Sequence, residues 1–381
     1  MSFKSLKRAW LFFGLIAVMN GNLSHLKAEE IKTLEIGASA PAFSLPGVDG
    51  KTYTLESFKE SKILMIIFMA NHCPTAQAYE DRILQLHQEF FPRGVEIVLV
   101  SSNDPLALCL EEIGYSELGD SFDEMTIRAR DKNFPMPYLY DGDRQEMAIA
   151  YGPTTTPHVF IFDNQRKLRF CGRIDEMENP YEKATQQDTR NAVMALLDGR
   201  PVPVEKTKTF GCSIKWSSKS EWRHKLDEDW SKKPVEVLET DINGIKELLA
   251  NKTEKYRLIN LWATWCGPCV IEFPEFITMQ RMYGARDFEF VSICTDGLKK
   301  KEKVLQFLKN KGAATKNYLY SGEDKYQLIE SVDKNWSGAI PYTMLIAPGG
   351  EFVYTHEGII DPLEVKKEII KKIGRFFADD K

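Results

Sequence analysis

Residues 265–269 read Trp-Cys-Gly-Pro-Cys, and their flanks confine them to one setting, the step from a buried strand into a helix. Upstream, Leu258-Ile259-Asn260-Leu261-Trp262-Ala263 is short and mostly apolar, as a central strand of a covered sheet requires. Downstream, Cys269, Val270, Ile271, Phe273, Phe276, Ile277 and Met279 recur at helical spacings. Cys266 is therefore expected at a helix N-terminus, where free backbone N–H groups and the helix dipole favour negative charge. A thiolate carries such a charge, so Cys266 should be acidic and nucleophilic near neutral pH. Cys269 is placed to reach back and close a small disulfide ring. The pair reads as a redox dithiol.

The competing reading of a CxxC pair is half of a zinc site. Zinc needs two further ligands at recognisable spacing, and here there is no second CxxC and the six His are scattered. The Gly-Pro insert and the preceding Trp265 suit redox chemistry, so no metal and no cofactor is expected.

At 381 residues the chain suits two domains. A hydrophobic content of 43% with 28% charged residues is ordinary for a globular protein, and a net charge of −5 argues against a nucleic-acid binder. Lys4, Lys7 and Arg8 precede eleven mostly apolar residues from Ala9 to Met19, and Leu26-Lys27-Ala28 resembles a cleavage site. Residues 1–28 are thus expected to be a signal peptide, too short in its apolar part to span a bilayer comfortably. Its removal takes four basic and no acidic residues, moving the charge from −5 to −9. The expected location is outside the cytosol, most simply the periplasm, with membrane tethering where the signal is not cleaved. Disulfides persist in such a compartment, and seven cysteines leave at least one free or paired with another molecule.

The chain also repeats itself. In the first half Ile63-Leu64-Met65-Ile66-Ile67-Phe68 runs into Asn71-His72-Cys73-Pro74, then a helix-like stretch through Tyr79, Ile83 and Leu86. Thr156-Pro157-His158 before Val159–Asp163 parallels Ile340-Pro341-Tyr342 before Met344–Ile346. Gly172-Arg173-Ile174-Asp175 parallels Gly358-Ile359-Ile360-Asp361, and a helix-like stretch closes each half. Cysteine and proline stand 84 residues apart in the first half and 75 in the second. Between the halves, Lys219 to Trp230 suits a short charged helix packed on either domain.

Asn-Leu-Trp-Ala-Thr-Trp-Cys-Gly-Pro-Cys, with Glu272, Pro274 and the later Ile340-Pro341, resembles exported TlpA-type thioredoxin-like thiol–disulfide oxidoreductases. Asn-His-Cys-Pro, Tyr-Gly-Pro-Thr-Thr-Thr-Pro-His and Gly-Cys-Ser-Ile-Lys-Trp resemble redoxin domains of the AhpC/TSA superfamily. The resemblance implies an α/β fold of two tandem thioredoxin-like domains, each a mixed central sheet flanked by helices. The domains are expected at 36–216 and 234–378, with 217–233 as linker. It further implies a nucleophile at a helix start and a cis-proline beside it.

On that resemblance Cys266 is the nucleophile, Cys269 the resolving thiol, and Pro341 the cis-proline that offers the Ile340 backbone to a substrate strand. Trp265 would shield the sulfur and supply an apolar docking surface. Glu272 is either a proton acceptor for Cys269, as in TlpA-type proteins, or a solvated helix carboxylate. Asn260 stands six residues before Cys266, where cytoplasmic thioredoxins usually carry a buried acid, and an amide accepts no proton.

In the first half the dithiol is broken. Aligning strand ends sets Cys73 opposite Cys266 with Ala76 in place of the second cysteine; the shifted alignment leaves Ala70 as the missing partner. Cys73 remains a candidate lone nucleophile with His72 beside it to stabilise a thiolate, and its partner would be Cys109, Cys171 or Cys212. Cys212 is favoured, as a cycling pair or as a structural disulfide. Peroxiredoxins carry Pro seven residues and Thr or Ser three residues before their reactive cysteine; here those positions are Ile66 and Ala70.

The expected activity is disulfide exchange with protein thiols, fed by an upstream redox partner, with the first domain as relay or substrate platform. The alternatives are a redox-silent first domain with structural disulfides and a peroxiredoxin-like thiol peroxidase. No CxxCH haem motif occurs, since Val270 follows Cys269. Oligomeric state is not legible in the letters.

Overall fold

The computed structural model describes residues 31–142 and 144–377. The expected signal peptide lies outside them. No helix among the described residues is long and apolar enough to cross a membrane.

The first half runs β1 (Ser44–Pro46), β2 (Thr52–Thr54), β3 (Ile63–Met69), α1 (Pro74–Phe90), β4 (Val95–Ser101), α2 (Phe122–Asp131), β5 (Tyr138–Tyr140) and α3 (Glu146–Tyr151). It continues through β6 (Thr155–Thr156), β7 (His158–Phe162), β8 (Leu168–Gly172), α4 (Asp188–Leu197) and β9 (Cys212–Ser213). Its main sheet has the order β5-β4-β3-β7-β8, parallel on the β4 side of β3 and antiparallel on the β7 side. All seven residues of β3 are buried, because helices or loops cover both faces. Strand alternation sorts them. Met65, Ile67 and Met69 pack with Tyr79, Ile83 and Leu86 of α1, while Leu64, Ile66 and Phe68 pack with Phe43, Phe58 and Tyr151.

A second helical stretch follows. Residues 217–233, expected as a linker with room for a charged helix, contain α5 (Ser220–Ser231). Its side chains reach both halves: Arg223 donates to the Pro105 carbonyl, Asp227 pairs with Arg281, and Trp230 Nε1 donates to the Gly312 carbonyl at 2.8 Å.

The second half runs β10 (Leu238–Thr240), α6 (Ile242–Ala250), β11 (Tyr256–Trp262), α7 (Gly267–Tyr283), β12 (Phe288–Cys294) and α8 (Lys301–Asn310). Then come β13 (Lys316–Tyr320), α9 (Lys325–Val332), β14 (Tyr342–Ile346), β15 (Phe352–Glu357) and α10 (Pro362–Ile373). The sheet order is β10-β13-β12-β11-β14-β15, again parallel on one side of the central strand and antiparallel on the other. Leu258 and Trp262 face Phe273 and Phe276 of α7; Ile259 and Leu261 face Ile245 and Leu328 on the other side. Each half is thus a mixed sheet between helices, with the cysteine-bearing helix leaving the central strand.

The halves meet at the far end of α7. Leu108 and Ile113 join the core of the second half, Arg281 pairs with Glu111 at 2.9 Å, and Tyr283 Oη donates to the Ser116 carbonyl at 3.0 Å. Arg281 is fifteen residues beyond Cys266, about 22 Å along the helix. The interface therefore leaves the Cys266 end of α7 to other contacts.

Candidate active sites

Cys266 caps α7. Its backbone is extended, its Sγ accepts from the Cys269 amide at 3.3 Å, and Pro268 in the first turn fits where no N–H is needed. Cys266 and Cys269 form a disulfide in this structure. Cys266 Sγ lies 3.6 Å from the Ile340 carbonyl oxygen, and the Ile340–Pro341 peptide is cis. The geometry thus brings together Cys266, Cys269, Ile340 and Pro341 from elements 74 residues apart. Trp265 is 60% exposed, and Ile271 and Ile359 are exposed as well. Cys266 itself is buried, next in the chain to the exposed Trp265.

Beneath the disulfide is a polar chain. Strand alternation turns Asn260 to the α7 face, in line with Leu258 and Trp262. Its amide donates to Glu272 Oε1 at 3.2 Å and to Thr343 Oγ1 at 3.0 Å. Glu272 Oε2 accepts from the Ile360 amide at 2.9 Å. Glu272 is 3% exposed, which rules out the solvated-carboxylate reading. Burial pushes its carboxyl up to about 7, more than the Ile360 and Asn260 donors and the His356 charge pull it down. A carboxyl in that range, one turn beyond Cys269, can both hold and release a proton near neutral pH.

The first half repeats the frame with other chemistry. Cys73 caps α1 as Cys266 caps α7: its Sγ accepts from the Ala76 amide at 3.4 Å, and Pro74 opens the helix. This equivalence selects the alignment of Cys73 with Cys266 and of Ala76 with Cys269. The neutral Cys73 thiol donates to the Thr156 carbonyl at 3.1 Å, and Thr156–Pro157 is also cis. Six residues either side of Cys73, where the second half has Asn260 and Glu272, stand Ile67 and Tyr79. Tyr79 Oη donates to Asp175 Oδ1 at 3.0 Å, so no carboxylate occupies the Glu272 position.

The ionisable group here is His72. Its Nδ1 lies 2.5 Å from Asp120 Oδ2, with both side chains buried. Asp120 also accepts from the Asn71 amide at 2.7 Å, the His72 amide at 3.2 Å and Asn103 Nδ2 at 2.7 Å. Burial opposes charge on both groups, but their mutual attraction prevails: His72 is shifted up and Asp120 down. His72 Nε2 is buried without a hydrogen-bond partner among the described residues. For Cys73, burial raises the thiol pKa, while Cys212, the His72 charge and the Ala76 amide outweigh it and lower the net value. Asp120, 48 residues from His72, belongs to no local pattern, and sequence reasoning missed it.

Of the three partners considered for Cys73, the structure sets Cys212 beside it, with the Cys212 amide donating to Cys73 Sγ at 3.4 Å. Cys171 packs in the core on the other face of the sheet, 3.1 Å from His158 Nε2, and burial pushes it up to about 12. Cys109 caps a short 3₁₀ turn, raised to about 11 by burial and by Glu112. Cys294 is buried in β12.

Residues 36–171 match the AhpC/TSA family and residues 240–368 match Redoxin. Thiol-disulfide oxidoreductase ResA of Bacillus subtilis (strain 168) is 30% identical over 120 residues, covering 32% of this chain and 62% of that protein. ResA of Oceanobacillus iheyensis is 30% identical over 113 residues, covering 27% and 50%. The chain thus spans between half and two thirds of the length of these curated relatives. Among solved structures, an uncharacterized conserved protein from Geobacillus kaustophilus shares 36% identity over 49% of this chain and 94% of its own, with a TM-score of 0.43.

Proposed function

We propose that this chain, an AhpC/TSA domain and a Redoxin domain joined as two thioredoxin-like domains in tandem, is a thiol–disulfide oxidoreductase whose working dithiol is Cys266–Cys269. The observation that carries the reading is Cys266 Sγ at a helix N-terminus, 3.6 Å from the carbonyl that precedes cis-Pro341, in a disulfide with Cys269. A thiolate of a partner protein attacks one sulfur of the disulfide, forming a mixed disulfide with Cys266 and freeing Cys269. The partner's second thiol then displaces Cys266, leaving the partner oxidised and the dithiol reduced. The reverse sequence reduces a partner disulfide, and an external redox partner resets the site in either direction.

Trp265, exposed and next to Cys266 in the chain, would give a protein substrate an apolar contact. An extended substrate strand would take its backbone bonds from Ile340, with which no strand among the described residues pairs. Glu272 would take the Cys269 proton during attack. The first domain would serve as relay or as substrate platform. Export, and a periplasmic site of action, rest on the signal-like first 28 residues, and fractionation of cells producing the full chain tests them.

The test of the activity is reduction or oxidation of a model protein disulfide by the wild type, Cys266→Ser and Cys269→Ser. Cys266→Ser should lose the greater part of the rate, and Cys269→Ser should accumulate a mixed disulfide at Cys266. A Cys266→Ser protein at the wild-type rate would sink the reading. A potential near or below about −250 mV would mark a reductase, and one well above about −200 mV an oxidase or isomerase.

A further inference from the structure

The two domains present the same relation twice: a helix-capping sulfur against the carbonyl of the residue before a cis-proline. In the second domain no strand among the described residues pairs with the edge at Ile340. In the first, the chain fills the equivalent edge itself. β9 pairs antiparallel with β6, with Cys212 opposite Thr156 and Ser213 opposite Thr155. Residues 206–216 thus lie across the Cys73 site as a substrate strand would lie across Cys266.

The strand is anchored at both ends. On one side the Cys171 amide donates to the Glu205 carbonyl at 2.9 Å and the Thr207 amide to the Cys171 carbonyl at 3.2 Å. On the other, the Lys215 amide donates to Asn103 Oδ1 at 2.8 Å, and the Lys215 carbonyl accepts from the Asp104 amide and from Gln145 Nε2. Between the anchors, Gly211 has φ +124°, and a Cβ there would stand 2.1 Å from the Thr156 carbonyl oxygen. Only glycine lets the backbone come this close with that φ. Cys73 is fully covered, whereas Cys212 is partly exposed. Both are free thiols in this structure.

We propose that residues 206–216 are a built-in substrate strand, and that Cys73 and Cys212 form a second thiol–disulfide couple in which Cys212 is the sulfur that meets partner proteins. This deepens the first domain's part in the reading above without requiring the Cys266–Cys269 chemistry. The co-reactant is a protein dithiol. Starting from the oxidised couple, a partner thiolate attacks Cys212 Sγ; the Cys73–Cys212 bond breaks, and its electron pair leaves on Cys73 Sγ. The helix N-terminus and the adjacent His72–Asp120 pair, with its unpartnered buried Nε2, receive that negative charge. The partner's second thiolate then attacks its own bound sulfur. Cys212 is released and takes a proton, the partner gains a disulfide, and the couple has gained two electrons. A protein disulfide runs the same steps backwards.

The test uses the chain carrying Cys266→Ser and Cys269→Ser, so that it is blind to the second domain's dithiol. It is equilibrated in glutathione buffers of graded ratio, quenched by alkylation, and mapped by peptide mass spectrometry. The expected result is one reversible transition that joins Cys73 to Cys212 while Cys109, Cys171 and Cys294 stay alkylated. Cys73 remaining a thiol at every ratio, pairing elsewhere, or staying bonded to Cys212 at every ratio would each overturn the proposal. In the same background, Cys73→Ser should leave Cys212 as a glutathione mixed disulfide, and Cys212→Ser, at a partly exposed site, should leave Cys73 unmodified. Circular dichroism checks that both variants fold. The opposite labelling pattern would overturn the assignment of Cys212 as the outward sulfur.

Discussion

The Asn260 amide donates to Glu272 at 3.2 Å, binding the centre of β11 to the second turn of α7 under the Cys266–Cys269 disulfide. Under the proposed function, the acid on the helix would take the proton-accepting part, because the amide on the strand cannot. The amide remains neutral at any pH, so the charge that titrates is on Glu272 alone. The acid is also tied to the Ile360 amide at 2.9 Å, at the turn that leads into α10.

Glu272 makes stability depend on pH. Its carboxyl rises from 4.5 to about 7 on folding, so between those values the folded chain binds more protons than the unfolded one. Stability from this group is therefore full below about 4.5 and is lost as pH rises through about 7. Glu272→Gln removes the ionisation. Urea unfolding of the oxidised protein should find the variant more stable by on the order of 2–3 kcal/mol at pH 8 and no more stable at pH 4. A gain that does not change with pH would show that the effect is packing alone.

Asp120 carries the first domain's charge balance. Its carboxylate accepts from two backbone amides, from Asn103 and from the His72 ring, all in the interior. Asp120→Asn turns an NH₂ toward donors and leaves a protonated His72 without its counter-charge. The expected cost is about 3–5 kcal/mol in chemical denaturation. The His72 ring, shifted up by Asp120 in the wild type, should give up its proton at lower pH in the variant, as followed by the ring resonances in NMR.

Much of this was legible from pattern. The buried run 63–68 and the run 258–262 announced central strands, and the apolar spacing after Cys269 announced α7, because these elements obey local periodicity. The two cysteines of the CxxC and the proline at 341 were likewise readable as a unit. The rest depended on contacts that no spacing encodes. Glu272 was ambiguous because helix position alone does not tell whether α10 and its preceding turn cover it. Asp120 reaches His72 across 48 residues from a loop, whereas Cys212, which reaches Cys73 across 139, was already the favoured partner. Lys219 to Trp230 reads as a charged helix packed on either domain; that it touches both at once, through Arg223, Asp227 and Trp230, is hidden by a sequence of mixed charges with no apolar stripe.

Gly211 should be the most sensitive backbone position around Cys73. Gly211→Ala places a Cβ against the Thr156 carbonyl and imposes an unfavourable φ, at a cost of about 1–3 kcal/mol in the native strand. The strand between its anchors should loosen before the domain unfolds. Iodoacetamide labelling of Cys73, followed by mass spectrometry on the native protein, should then rise at least tenfold over wild type. Unchanged labelling would mean that another element, not 206–216, covers the thiol.

Arg375 joins the end of the chain to the first domain, and the sign of its pH dependence is opposite to that of Glu272. Its guanidinium donates to Glu117 at 2.7 Å and to Gln77 Oε1 at 2.8 Å, one turn into α1 from Cys73. Burial would raise the Glu117 carboxyl, but the charges of Arg375 and Arg128 prevail and hold it below 4.5. A depressed carboxylate contributes stability above its unfolded value and loses it as pH falls through the lower folded one. Arg375→Ala should therefore cost about 1–2 kcal/mol at pH 7, discounted because Arg375 is partly exposed and because Arg128 still faces Glu117. The deficit should shrink as pH falls through the depressed folded value, itself below 4.5, beneath which Glu117 is neutral in both proteins. Calorimetry at pH 7 gives a second readout: one transition for the wild type, broadened or split toward two in the variant, because this contact helps the domains unfold together. A variant that keeps the wild-type transition at pH 7 would place the coupling instead on Arg281 and Tyr283 of the α7 interface.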